Sequence, residues 1–125
     1  MPSPEQVVSA FMAEFANPHP DVDVLLAYFA ANAVYHNMPS QPAIGLEAVR
    51  QTLSGFVTRM ELAGWEIVNQ LSSGDLVMNE RIDRFRLPGK EIALPVAGVF
   101  RIRDGKIAEW RDYFDMATWQ KQMSG

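Results

Sequence analysis

From Gly64 onward the chain repeats one pattern: apolar and polar residues alternate, and short turn-forming clusters interrupt the alternation. Trp65 to Ser72, Leu76 to Leu87, Ile92 to Arg103 and Lys106 to Phe114 each read as a strand. Ser73-Gly74-Asp75, Pro88-Gly89-Lys90 and Asp104-Gly105 separate them. The last is a two-residue Asp-Gly connection, whose residues tolerate the positive φ angles of a tight hairpin. Connections this short join antiparallel neighbours, because a parallel crossover needs about a dozen residues or more. The second half is therefore expected to form an antiparallel sheet.

The first half has a different period. After Pro4, residues Val7, Val8, Phe11, Met12 and Phe15 recur at helical spacing, and Asn17-Pro18-His19-Pro20 ends that helix. Asp21 to Phe29 predicts a short second helix, and Ala33 to Met38 a short strand stopped by Pro39 and Pro42. Gly45 to Met60 predicts a third helix that buries Val49, Leu53, Phe56, Val57 and Met60. Ala117 to Met123 reads as a terminal helical turn, with Asp115 as its N-cap. Helices followed by strands imply an α+β fold, with helices packed on one face of a curved sheet. At 125 residues the expectation is one domain, residues 1–125, with one sizeable core.

Composition narrows the function classes. A net charge of -4 with no basic patch argues against a nucleic-acid partner. The chain has no cysteine, which excludes disulfides, thiolate catalysis and cysteine-ligated metals. The N-terminal Met-Pro-Ser-Pro-Glu lacks a charged stretch followed by an apolar one, and no apolar run approaches a membrane span. A cytoplasmic protein without a membrane partner is expected.

Two strand segments place carboxylates on faces that are otherwise apolar. In one, alternation groups Val77, Asn79, Arg81, Asp83 and Phe85; in the other, Asp112 lies between Trp110 and Phe114. A charged carboxylate among aromatic rings costs several kcal/mol unless it is paired, and Arg81 is the obvious partner. Two neighbouring carboxylates cannot both ionise easily, so one keeps its proton, which makes an acid/base pair. The plainer alternatives are a solvated ion pair, since Glu80, Arg84 and Arg86 lie nearby, and an Asp112 bonded to backbone amides. Tyr35 and Asn37 share a strand face, whereas His36 points to the opposite one. His19 lies in a proline-rich loop, so neither histidine belongs to a metal constellation. Phe56, Met60, Phe85, Leu94, Val96, Phe114 and Trp119 read by themselves as plain core; in a fold whose pocket is lined by its core face they would wall an apolar pocket suited to a small hydrophobic ligand.

The helix and strand order resembles the cone-shaped fold of nuclear transport factor 2 and ketosteroid isomerase, in which a curved sheet and helices enclose a deep pocket. Tyr35-His36-Asn37-Met38-Pro39, Glu80-Arg81-Ile82-Asp83, Gly98-Val99-Phe100, Asp104-Gly105-Lys106-Ile107 and Trp110-Arg111-Asp112-Tyr113-Phe114-Asp115 together resemble the limonene-1,2-epoxide hydrolase family. The resemblance implies a cofactor-independent hydrolase that adds water to an apolar alicyclic epoxide and yields a vicinal diol. It assigns Asp112 as base, Asp83 as acid and Arg81 as the bridge, with Tyr35 and Asn37 holding the attacking water. It also implies a homodimer. Spacing alone leaves open which aspartate holds the proton; the resemblance assigns it to Asp83. A same-fold isomerase or cyclase would need only one aspartate as proton shuttle. A non-catalytic binding module would need no acid/base pair.

Overall fold

The computed structural model describes residues 1–124. Among them, α1 (Pro4–Glu14), α2 (Val22–Leu26), β1 (Phe29–Asn37), β2 (Ala43–Ile44) and α3 (Leu46–Val57) precede the long strands. These are β3 (Glu61–Ser73), β4 (Leu76–Leu87), β5 (Lys90–Arg103) and β6 (Lys106–Tyr113), followed by α4 (Met116–Ser124). The strands form one curved six-stranded sheet in the order β2-β1-β6-β5-β4-β3. The expected α+β cone is present. Consecutive strands β3 to β6 are antiparallel, and only β1 lies parallel to its neighbour, β6. No described helix is long and apolar enough to cross a membrane.

Local chemistry accounts for the helix boundaries. Ser3 caps α1 by accepting from the Gln6 amide, the Gln6 side chain accepts from Ser3 N in return, and Pro4 needs no amide partner in the first turn. Asp21 caps α2 by accepting from Asp23 N at 2.9 Å. Asp115 accepts from the Thr118 amide at 3.1 Å, the capping role expected of it. The β5–β6 connection takes the hairpin form that Asp-Gly favours, with φ of 53° at Asp104 and 75° at Gly105.

Several elements depart from the sequence reading; α3, for one, ends at Val57 and does not reach Met60. The second helix stops at Leu26 instead of reaching Phe29, because the Ile107 amide donates to Tyr28 O at 2.8 Å and Phe29 pairs with Ile107. Pairing with a distant strand thus overrides local helical spacing, and β1 begins at Phe29 rather than Ala33. β3 starts at Glu61, ahead of the expected Trp65, with a register shift between Leu62 and Trp65. The two-residue strand β2 was not expected; it pairs with Val34 and Tyr35 at the sheet edge.

The helices cover the concave face of the sheet. Phe11 of α1 is wholly buried and meets Phe15, Phe29 and Trp110 edge-on with ring centroids 5.1 to 5.3 Å apart. α4 covers the part of β5 that β6 leaves unpaired: β6 pairs no further than Ala97, and the Gln122 amide bonds both N and O of Ala93. Phe11→Ala is expected to cost about 3–5 kcal/mol, the range for deleting a buried aromatic ring. Chemical denaturation checks this, and a loss below about 1 kcal/mol would show that α1 contributes little to the core.

Candidate active site

The strand register brings the carboxylates together. Asn37 of β1 pairs with Asp112 of β6, Asp112 with Gly98 of β5, and Gly98 with Asn79 of β4. One row across the concave face therefore reads Asn37, Asp112, Gly98, Asn79. The adjacent row on one side brings Tyr35 to Trp110 and Trp110 to Phe100. On the other side, Arg81 and Asp83 follow Asn79 at two-residue intervals, so they share its face.

Arg81 ties these rows together. It is fully buried, and all five of its guanidinium N–H groups find acceptors. Nε and Nη2 donate to Asp83 at 3.0 and 2.8 Å, and Nη1 and Nη2 donate to Asp112 at 3.1 and 2.8 Å. The remaining Nη1 hydrogen goes to Asn79 Oδ1 at 3.0 Å, and the Asn79 amide donates in turn to Gln70. Asp83 and Asp112 are each only 3% exposed, so the alternative of a solvated ion pair does not hold. Glu80, Arg84 and Arg86 point the other way and pair with Asn69, Glu66 and Glu91 outside the site.

Asp112 takes a further bond, from Trp110 Nε1 to Oδ1 at 2.6 Å. Its partners are therefore side chains, not the backbone amides of the plainer reading. Tyr35 stacks on Trp110 with centroids 4.0 Å apart and rings 9° from parallel. Burial first, and then the charge of Asp112, push the Tyr35 hydroxyl well above its ordinary pKa, so it remains a proton donor. Burial likewise raises Asp83 to about 6, against the opposing pull of Arg81 and with a further push from Asp112. Arg81 stays charged: burial works against the cation, but the two carboxylates outweigh it.

These groups open onto a pocket of about 210 Å³. Tyr35, Asn37, Asp83 and Asp112 line it together with all seven expected wall residues: Phe56, Met60, Phe85, Leu94, Val96, Phe114 and Trp119. Arg81 is not on the wall; it lies behind the two aspartates. The sequence reading missed Ser40, Trp65 and Met116, which also line the pocket. Ser40 sits in a turn, and the register shift before Trp65 hides its facing from simple alternation. Asn79 and Trp110 were visible on the relevant faces, but nothing in their spacing marked them as hydrogen-bond partners of Arg81 and Asp112. His36 bonds Ser40 O, and His19 lies at the surface 3.7 Å from Glu61; both stand apart from the site, as expected.

A site of two buried carboxylates, one with its pKa raised from 3.8 to about 6, at the polar end of an apolar pocket can take a proton from one atom and give one to another. Comparison with known proteins fits that chemistry. A family model for the limonene-1,2-epoxide hydrolase catalytic domain matches residues 2–124. Epoxide hydrolase EphG of Mycobacterium tuberculosis is 30% identical over 114 residues, which cover 87% of this chain and 71% of that protein. The solved structure of an M. tuberculosis LEH-like epoxide hydrolase superposes with a TM-score of 0.81 at 27% identity, covering 98% of this chain and 90% of that one. A Catenulispora acidiphila protein with a ketosteroid isomerase-like fold, at 21% identity and TM-score 0.81 over 98% and 95% of the two chains, shares the fold.

Gly98 makes the arrangement possible. A Cβ there would collide with Arg81 Nη1 and lie 2.8 Å from Asn79 Oδ1 and 2.9 Å from Asp112 Oδ1. The guanidinium thus crosses the sheet over the one β5 position in this row that has no side chain. Gly98→Ala would have to displace a buried, fully bonded cation. Overpacking alone costs about 1–3 kcal/mol, and a broken buried ion pair about 3–5 kcal/mol. Thermal and denaturant unfolding should register a loss of at least about 1 kcal/mol. Wild-type stability in Gly98→Ala would show that Arg81 has room that this geometry denies it.

Proposed function

Because this chain belongs to the limonene-1,2-epoxide hydrolase family, we propose that it adds water in a single step to an apolar, alicyclic epoxide and releases a vicinal diol. The observation that carries the reading is the pair of buried carboxylates on one guanidinium at the edge of an apolar pocket. Opening an epoxide with water requires a base for the water and an acid for the ring oxygen. Asp112 takes a proton from a water held by Tyr35 and Asn37 as the water oxygen bonds to a ring carbon. The bond from that same carbon to the epoxide oxygen breaks, and Asp83 passes its proton to the departing oxygen. A proton then leaves Asp112 and one returns to Asp83, which restores the pair.

Each role has a physical support. The raised pKa of Asp83 supplies a proton close to neutral pH. Arg81 has no free N–H to offer a substrate, so its part is to hold both carboxylates in place and keep them from becoming neutral together. It also bridges the two carboxylates where a metal cation would otherwise bind, which supports a reaction without a metal. Fixing water and epoxide together lowers the barrier through orientation. The aromatic and methionine wall suits a hydrophobic ring and offers few competing hydrogen bonds.

The acid role sets a pH dependence. Asp83 must be protonated, and its pKa is raised from 3.8 to about 6, so the active form persists up to that pH and declines above it. kcat/KM for epoxide hydrolysis should fall as pH rises through about 6, by roughly tenfold per further pH unit. Asp83→Asn should lose about 10²- to 10⁴-fold in turnover, the usual contribution of a positioned acid. A folded Asp83→Asn variant with wild-type turnover would remove Asp83 from the mechanism.

One-step attack also predicts where the oxygen comes from. The two histidines stand outside the site, so an ester formed on Asp112 would have no evident base to release it. In oxygen-18 water, with enzyme in excess of a cyclic epoxide, the first turnover should give labelled diol with inversion at the attacked carbon. Mass spectrometry decides: unlabelled diol, with the label in an aspartate of the protein, would establish a covalent route instead.

A further inference from the structure

Arg81 treats the two aspartates alike, giving two hydrogen bonds to each carboxylate. The guanidinium therefore cannot by itself decide which of them keeps the proton. Trp110 breaks the symmetry. Its indole N–H reaches Asp112 Oδ1 at 2.6 Å, the shortest hydrogen bond into the pair. Among the described residues, no donor other than Arg81 bonds to Asp83. An indole N–H can only donate, so it favours whichever carboxyl is the ionised acceptor.

The ring is held so that this bond cannot swing away. Trp110 has no exposed surface. Tyr35 stacks on one side with centroids 4.0 Å apart, Phe100 is near-parallel at 5.5 Å, and Phe11 meets it edge-on at 5.1 Å. Trp110 does not line the pocket, so its effect on a reaction must pass through Asp112. The other charged or titratable groups near Asp112 are Arg81 and Asp83 from β4 and Tyr35 from β1. β5 contributes only Gly98 opposite it.

We propose that Trp110 is a positioning residue whose indole N–H holds the negative charge of the carboxylate pair on Asp112, and so makes Asp112 the base and Asp83 the acid. The proposal rests on the epoxide-opening reading for its catalytic consequence, but the placement of the proton can be measured without substrate.

Two replacements at position 110 test it. Trp110→Phe removes the donor and part of the ring, and β-(3-benzothienyl)alanine keeps the bicyclic shape with sulfur in place of N–H. The second decides the matter should the first fail to fold, and it preserves the stack on Tyr35. Carbon-13 NMR of the aspartate carboxyl carbons, assigned with Asp83→Asn and Asp112→Asn, follows the proton during a pH titration. Losing one hydrogen bond to a charged group should move the proton toward Asp112 by about 10- to 100-fold. With a cyclic epoxide as substrate, kcat should fall by a similar factor, the acidic limb of its pH profile should move to higher pH, and KM should hold. Unchanged carboxyl titrations in a folded benzothienylalanine protein would overturn the proposal, as would a raised KM at constant kcat. Shifted titrations in a protein whose wild type makes no diol would uphold the placement of charge by Trp110 and refute the epoxide reading instead.

Discussion

A buried guanidinium with every N–H engaged is a rigid object, and Arg81 imposes that rigidity on three strands at once. Its acceptors come from β4 and β6, and it must pass over β5 to reach them. This geometry demands a position with no side chain in the middle of β5, which Gly98 supplies. It also demands that β4, β5 and β6 keep one register, because a slip of one residue would turn Asp112 or Asp83 to the outer face. The ion cluster is therefore a constraint on the fold as well as a candidate chemical device. Its net contribution to stability need not be large, since burying such charges costs about as much as pairing them returns; removing one member leaves the others unpaired and is far more costly.

The aromatic packing behind the cluster supports it from a second direction. Phe11, Phe15, Phe29, Tyr35, Phe100 and Trp110 form a continuous set of ring contacts between α1 and the sheet. Trp110 and Tyr35 belong to this core and to the site at once: one bonds Asp112 and the other faces the pocket. On the far side Trp65 stacks on Phe15 at 4.0 Å, and the Arg81 guanidinium lies 5.4 Å from the Trp65 ring. Core and site share residues, so changes that loosen the aromatic cluster should also disturb the carboxylates.

Much of this was legible in the sequence because strand alternation is a strict rule. Once the segments around Asp83 and Asp112 were read as strands, the facing of Arg81, Asp83, Asp112, Tyr35 and Asn37 followed, whereas the seven wall residues came from the resembled fold, whose core face lines its pocket. What alternation cannot give is register between strands. That is why Asn79 was seen on the right face but not as a partner of Arg81, and why Gly98 was noted only as part of a motif. Trp65 was hidden by the register shift before it, and the end of α2 was set by pairing between Tyr28 and Ile107, which local spacing does not encode. The plain alternative of a solvated Arg81–Asp83 pair failed for a related reason: exposure depends on the helices laid over the sheet, not on the strand that carries the charges.

The relation between this fold and its chemistry is local. A protein with a ketosteroid isomerase-like fold superposes as well as the epoxide hydrolase structure does, at TM-score 0.81 in both cases, so the cone alone does not choose a reaction. On the proposed reading the choice lies in one row of the sheet and its two neighbours. A glycine on the central strand admits a guanidinium, the guanidinium gives two hydrogen bonds to each carboxylate, and in the proposal an indole donor on one of them makes the pair unequal. Without that last bond the two aspartates would compete for one proton on nearly equal terms, and a site that needs a distinct acid and a distinct base would have neither reliably in place. On this view the asymmetry originates in the hydrophobic core: the aromatic rings that fix Trp110 also fix the direction in which the proposed reaction moves its proton.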